Sequence, residues 1–201
     1  PPERMFEEVS KLLLSGKGLE TLRWLQTLKV FKVLFPALDG MLNDPKGKEQ
    51  QLIELMLRNT DQRLAQQMRI TPAFLYATVL WYPMEERSAQ LSFDTQMTAH
   101  DAFNIASSEV IHRQVQRIML PKRFSIPVRE IWTLQGRLSK RFGKRPFQLL
   151  THPRFRAAYD FLLLRGQVEG GELLELADWW TEFQDASQER KATMVSALGK
   201  S

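Results

Sequence analysis

The densest chemistry in this sequence lies in RLSKRFGKRPFQLLTHPRFRAAYDFLLLR, residues 137–165, where eight Lys/Arg and His152 stand against one acid, Asp160. Cations concentrated in a single sign attract polyanions, nucleic acid first and an anionic membrane second. On a helix turning about 100° per residue, Ile131, Leu134, Leu138 and Phe142 fall on one apolar stripe. Arg137, Lys140, Arg141 and Lys144 then occupy a separate arc at i, i+3, i+4, i+7. Like charges at that spacing repel by about 0.2–0.5 kcal/mol per pair, and solubility alone needs no single-sign field. Together with Lys122, Arg123, Arg129, Arg145, Arg154 and Arg156, these four are the candidate anion-binding residues.

Other chemistries are less well supplied. His100-Asp101 has the adjacent pair found in metal-dependent phosphohydrolases. Such a centre needs further ligands, and the remaining histidines are His112, three turns on, and His152, at another helix start. The pair therefore reads as a polar first turn, and neither a metal site nor a catalytic residue is assigned. No Gly-x-Ser-x-Gly elbow is present, and Gly16-Lys17-Gly18 and Gly170-Gly171 lack a phosphate-loop pattern, so both read as helix stops. Trp179, Trp180 and Phe183 suit a helix docking on a core. Trp132 suits packing or, as the alternative, stacking on a base, packing being the commoner role of a lone Trp in a helix. With no cysteine, disulfides and thiolate chemistry are excluded, which fits a reducing, cytoplasmic setting. No run of 18 apolar residues suggests a membrane span.

The elements that would position the cations are helices throughout. Expected spans are Glu3–Leu14, Leu19–Leu28, a break at Pro36, and Glu49–Gln67. A helix capped by Thr71 with Pro72 in its first turn runs to Pro83. Thr98 and Asp101 resemble a capping box, opening a helix to Leu120. Ser125 and Pro127 open the next, to about Phe142, and His152-Pro153 opens one to Arg165. That last helix, through FRAAYDFLLL, is apolar nearly all round and so must be buried, which makes Arg154 and Arg156 charges on a rigid support. ELLELADWWTEF ends the ordered chain, and residues 185–201 read as mobile. The fold class is all-α.

Charge is distributed in blocks. Residues 1–112 carry 12 Lys/Arg against 14 acids, residues 113–165 carry 13 against 2, and residues 166–201 carry 3 against 7. The composition break near LSFDTQM suggests a helical body over 1–94 and a basic helical region over 95–201.

PKRFSIPVREIWTLQGRL, HPRFRAAYDFLLLR and WWTEFQ closely resemble the C-terminal region of bacterial poly(A) polymerases, class II nucleotidyltransferases related to CCA-adding enzymes. PPERMFEEVSKLLLSGKGLETLRWL, VLFP and RITPAFLYATVLWYP resemble the helical body of that family. The resemblance implies a parent enzyme that adds adenylates from ATP to RNA 3′ ends with Mg2+. It also implies that the ten cations named above bind single-stranded RNA. The family's catalytic head has paired aspartates, and no Asp-x-Asp occurs here. With Pro1-Pro2 at its start, the chain is expected to be part of a longer protein, needing no cofactor itself and inactive alone. The family's Arg-rich tail has no counterpart in DASQERKATMVSALGKS. A basic helical module binding an acidic protein, such as an RNA helicase or RNA chaperone, stays open beside the RNA reading.

Overall fold

Helical punctuation in the sequence becomes helix in the molecule. A computed structural model describes residues 1–199, and among them twelve α-helices and one 3-10 turn occur, with no strand. The chain divides into two compact units, the first ending at Val128 and the second beginning at Arg129. The composition break near residue 95 coincides with the end of a helix of the first unit.

The first unit holds α1 Pro2–Leu13, α2 Gly18–Thr27, α3 Phe31–Leu34, the 3-10 turn Pro36–Leu38, α4 Lys48–Ala65, α5 Pro72–Val79, α6 Trp81–Thr95 and α7 Ala99–Val115. Its core is built from residues such as Phe6, Leu13, Leu22, Phe31, Phe35, Leu52, Met56 and Tyr76. The free amides at the start of α2 are met from α4: Gly18 and Leu19 donate to the Asp61 carboxylate at 2.7 and 3.2 Å. Burial pushes the Tyr76 phenol up to about 12, against a smaller opposing effect of the Ser10 hydroxyl. Thr98 caps α7 as expected, its hydroxyl accepting from the Asp101 amide at 3.1 Å.

Pro83 is a correction. The helix expected to end there ends at Val79, and Pro83 lies in the first turn of α6. First-turn amides have no intrahelical acceptor, so proline forfeits nothing at that position.

Helix α8, Lys122–Leu138, starts earlier and stops earlier than its expected span of about 125–142. Pro121 carbonyl accepts from the Phe124 and Ser125 amides at 2.8 and 3.0 Å, forming the first turn ahead of Pro127. Pro127 therefore falls inside the helix, at the expense of one backbone bond. Its end is set from a distance: the buried Trp180 indole donates to the Leu138 carbonyl at 2.8 Å, and the Ser139 hydroxyl donates to the Gly136 carbonyl at 2.7 Å. Both carbonyls are thus satisfied without another turn of helix.

The second unit continues with α9 Arg145–Leu150, α10 Phe155–Glu169, α11 Gly171–Asp185 and α12 Gln188–Leu198. Its core gathers Leu134, Leu138, Leu149, Phe155, Tyr159, Leu162, Trp180, Phe183 and Met194. The expected burial of the apolar run holds, with Phe161 and Leu162 fully enclosed. Gly166 permits the close approach of α10 to α11, since a Cβ there would sit 3.0 Å from Leu174 Cα. Helix α12 is the second correction, because residues 188–198 were expected to be mobile. Ser187 caps it, its hydroxyl accepting from the Arg190 amide at 3.1 Å, and Met194 seats it on the core. Lys200 and Ser201, part of the same expectation, lie outside the described residues.

Candidate nucleic-acid interface

The apolar stripe on α8 is confirmed only as far as the helix extends: Ile131, Leu134 and Leu138 are buried, whereas Phe142 is 60% exposed. The four-cation ridge is not a helical ridge. Arg137 is on α8, while Lys140, Arg141 and Lys144 lie on the turn between α8 and α9. That turn is closed by Gly143 at φ 62°, a left-handed conformation that a Cβ would strain.

The turn seats its cations on rings. The Arg141 guanidinium lies 5.0 Å from the centroid of Trp179. Trp179 is stacked on Phe183 at 4.6 Å and edge-on to Trp180 at 5.1 Å, so Arg141 rests on a fixed surface. Partial burial lowers the Arg141 pKa, and a guanidinium starts so high that it stays charged. Arg145 lies 4.0 Å from the Phe142 centroid. Lys140, Lys144, Arg145 and Arg137 are exposed. Among the described residues no carboxylate lies within ion-pair distance of Arg137, Lys140, Arg141, Lys144 or Arg145.

Arg154 and Arg156 differ in meeting acids, although Arg156 also lies 5.4 Å from the ring centroid of Tyr159. Arg154 pairs with Glu130 at 3.2 Å, and its amide donates to His152 Nδ1 at 3.0 Å. Arg156 pairs with Asp160 one turn on at 3.4 Å and donates to Gln184 at 3.2 Å. Both are positioned, as expected from the rigid helix beneath them, but both already face an acid. Arg129 is exposed on α8. Lys122 and Arg123 open α8 within the first unit, exposed, with Arg123 4.9 Å from the ring centroid of Phe124. The second unit thus brings together five cations at the end of α8, in the turn after it and at the first residue of α9.

Two contributors were missed by sequence reasoning. Phe142 was placed in the buried stripe, and the signal that it leaves the helix is the Gly143 that follows it. Trp179 was read as core alone, yet it also carries Arg141. His100, the phosphohydrolase candidate, lies exposed with its ring 3.1 Å from the Asn104 amide, a neighbour on the same helix. Among the described residues no group of three or more His, Cys, Asp or Glu side chains is placed to hold a metal ion.

An all-helical unit with a one-signed cationic edge supported on aromatic rings has the build of a polyanion-binding domain. Comparison with known proteins makes the class specific. The chain belongs to the family of the polymerase A arginine-rich C-terminus, whose model matches residues 95–201. A second family model, described as the probable RNA and SrmB-binding site of polymerase A, matches residues 1–42. Over 98% of its length the chain is 41% identical to poly(A) polymerase I of Escherichia coli O157:H7. It is 40% identical over 98% of its length to that of Salmonella typhi, and 38% identical over 97% to that of Haemophilus influenzae. In each case it spans 43% of the relative's own length.

Proposed function

We propose that this chain is the RNA-holding portion of a polynucleotide adenylyltransferase acting on mRNA in the cytoplasm, and that it grips single-stranded 3′ ends by their phosphates. The observation that carries the reading is the set Arg137, Lys140, Arg141, Lys144 and Arg145, five cations without a carboxylate partner among the described residues, two of them seated on aromatic rings. A surface whose cations meet no acid leaves its field to the solvent, and a phosphate chain is the common biological counter-charge. ATP and Mg2+ belong, in this reading, to the carboxylates of the whole enzyme. The residues of this chain do not suit that pair of ligands, having no Asp-x-Asp, so no chemical step is assigned to them.

Binding of a single-stranded oligoribonucleotide across a salt series tests the proposal. Neutralising ~5 phosphates gives a log–log slope of about −3.5, roughly a 100-fold loss of affinity for a fourfold rise in salt. A flat salt response contradicts it.

A protein partner is the second reading, and it rests on the first unit. Residues 1–42 match the family description that names SrmB, and there Trp24 is 61% and Leu28 64% exposed, one helical turn apart. Such side chains suit an RNA helicase or RNA chaperone surface better than a phosphate chain. Trp24→Ala should weaken capture of the helicase and leave RNA binding unchanged. Equal loss of both contradicts this assignment.

A further inference from the structure

Phosphate contacts alone do not account for Phe142, a large apolar ring held out in solvent beside five cations. The turn 139–143 and the end of α12 enclose an open groove of about 530 Å³, lined by Ser139, Arg141, Phe142, Val195 and Leu198 among others. One wall is therefore apolar, one is aromatic, and the rim carries the Arg141 guanidinium. Phe142 is kept outside the core by the left-handed Gly143, and the 4.0 Å approach of Arg145 steadies one side of its ring. Backbone electrostatics cannot use a phenyl face, whereas an unpaired base can, because every base presents a π-face of its own.

We propose that this groove is a nucleobase-stacking subsite: one base of a single strand stacks on Phe142 while the flanking phosphates lie on Arg141, Lys140 and Lys144. The inference rests on the RNA reading above and adds to it a non-electrostatic, strand-selective contact. Because a stacked base needs no particular hydrogen-bond edge, the subsite is tolerant of sequence. It rejects duplexes, whose bases are already stacked.

The test compares the intact chain with Phe142→Leu on two probes, oligo(A) and an abasic ribose-phosphate chain of equal length and charge, each across a salt series. Leucine keeps apolar bulk and removes the π-face, and exposure at this position leaves the fold unaffected, which thermal melting checks. The intact chain should bind oligo(A) roughly 5- to 100-fold more tightly than the abasic chain, with the same salt slope for both. Phe142→Leu should lose most of that preference and keep the slope. Equal affinity of the intact chain for both probes, or an undiminished preference in Phe142→Leu, overturns the subsite while leaving the phosphate reading in place. Absence of salt-dependent binding to either probe overturns the RNA reading and the subsite together.

Discussion

Two places in the second unit carry similar charge and spend it differently. At the start of α10, Arg154 and Arg156 are answered by Glu130 and Asp160. Between the end of α8 and the start of α9, Arg141 and Arg145 lie over Trp179 and Phe142, and Lys140 and Lys144 are exposed on the turn. A carboxylate fixes a cation by cancelling it, whereas a ring fixes a cation and leaves its charge in place. Counting Lys and Arg along the sequence weights the two places equally. Only the second offers uncompensated, pre-positioned charge to an anion.

The largest effect expected is on the floor beneath the turn. Trp180 is fully buried, and it supplies both core volume and the bond to the Leu138 carbonyl. Trp180→Ala should cost about 3–5 kcal/mol, read by denaturant unfolding. A loss below 1 kcal/mol would show that the turn is held by something else.

Removing the acids should make the two places alike. With Glu130→Gln and Asp160→Asn combined, Arg154 and Arg156 become available, and the salt slope for RNA should steepen by up to about 0.7 per contact. Unfolding should register about 0–1 kcal/mol for the part-exposed Arg154–Glu130 pair and a larger loss at Asp160, whose side chain is only 12% exposed. An unchanged slope would mean that the strand never reaches α10.

Gly143→Ala tests the conformation of the turn itself. A φ of 62° should cost about 1–2 kcal/mol with an alanine side chain, and any rearrangement that relieves it should displace Phe142. Wild-type stability together with wild-type RNA affinity would contradict the role given to this residue.

The smallest effect is the contrast supplied by the first unit, where Arg87 and Glu109 pair at 2.6 Å between α6 and α7. The Arg87 hydrogen bond holds the Glu109 carboxyl below its usual range. A lowered carboxylate contributes stability above the ordinary carboxylate range, and that stability is lost as pH falls through the lowered value. The melting difference between the intact chain and Glu109→Gln should therefore be present at neutral pH and vanish in acid. A difference that grows in acid would refute the pairing.

Much of this architecture is legible locally. Thr98 with Asp101, Gly170-Gly171 and the apolar run of α10 identify their helices from neighbouring residues alone. Where α8 was misjudged, the deciding group is distant in sequence. Helix α8 stops at Leu138 because Trp180, 42 residues on, takes its carbonyl. Nothing near residue 142 announces this except Gly143, so the cations were put on one helical ridge and Phe142 on the buried stripe. Residues 188–198 read as mobile because their buried face is short, resting on Lys191 and Met194. The ten candidate cations are crowded in sequence, and the structure gathers five of them, Arg137, Lys140, Arg141, Lys144 and Arg145, near the end of α8. The acid partner of Arg156, four residues on along the same helix, was legible too. That of Arg154 was not, since Glu130 lies 24 residues away and the two meet only through the fold.

The central claim, that the cations without an acid partner rather than the acid-paired ones do the binding, is tested most directly by two charge variants measured side by side against single-stranded RNA over a salt series. One replaces Arg137, Lys140, Arg141, Lys144 and Arg145 with Gln, and the other replaces Arg154 and Arg156 with Gln, each removing charge while keeping a polar side chain of similar length. The first should weaken binding at low salt and flatten the log–log slope by about 0.7 for each lost contact, while the second should leave the slope within experimental error of the parent. A parental slope in the first variant, or an equal flattening per residue in both, would contradict the account.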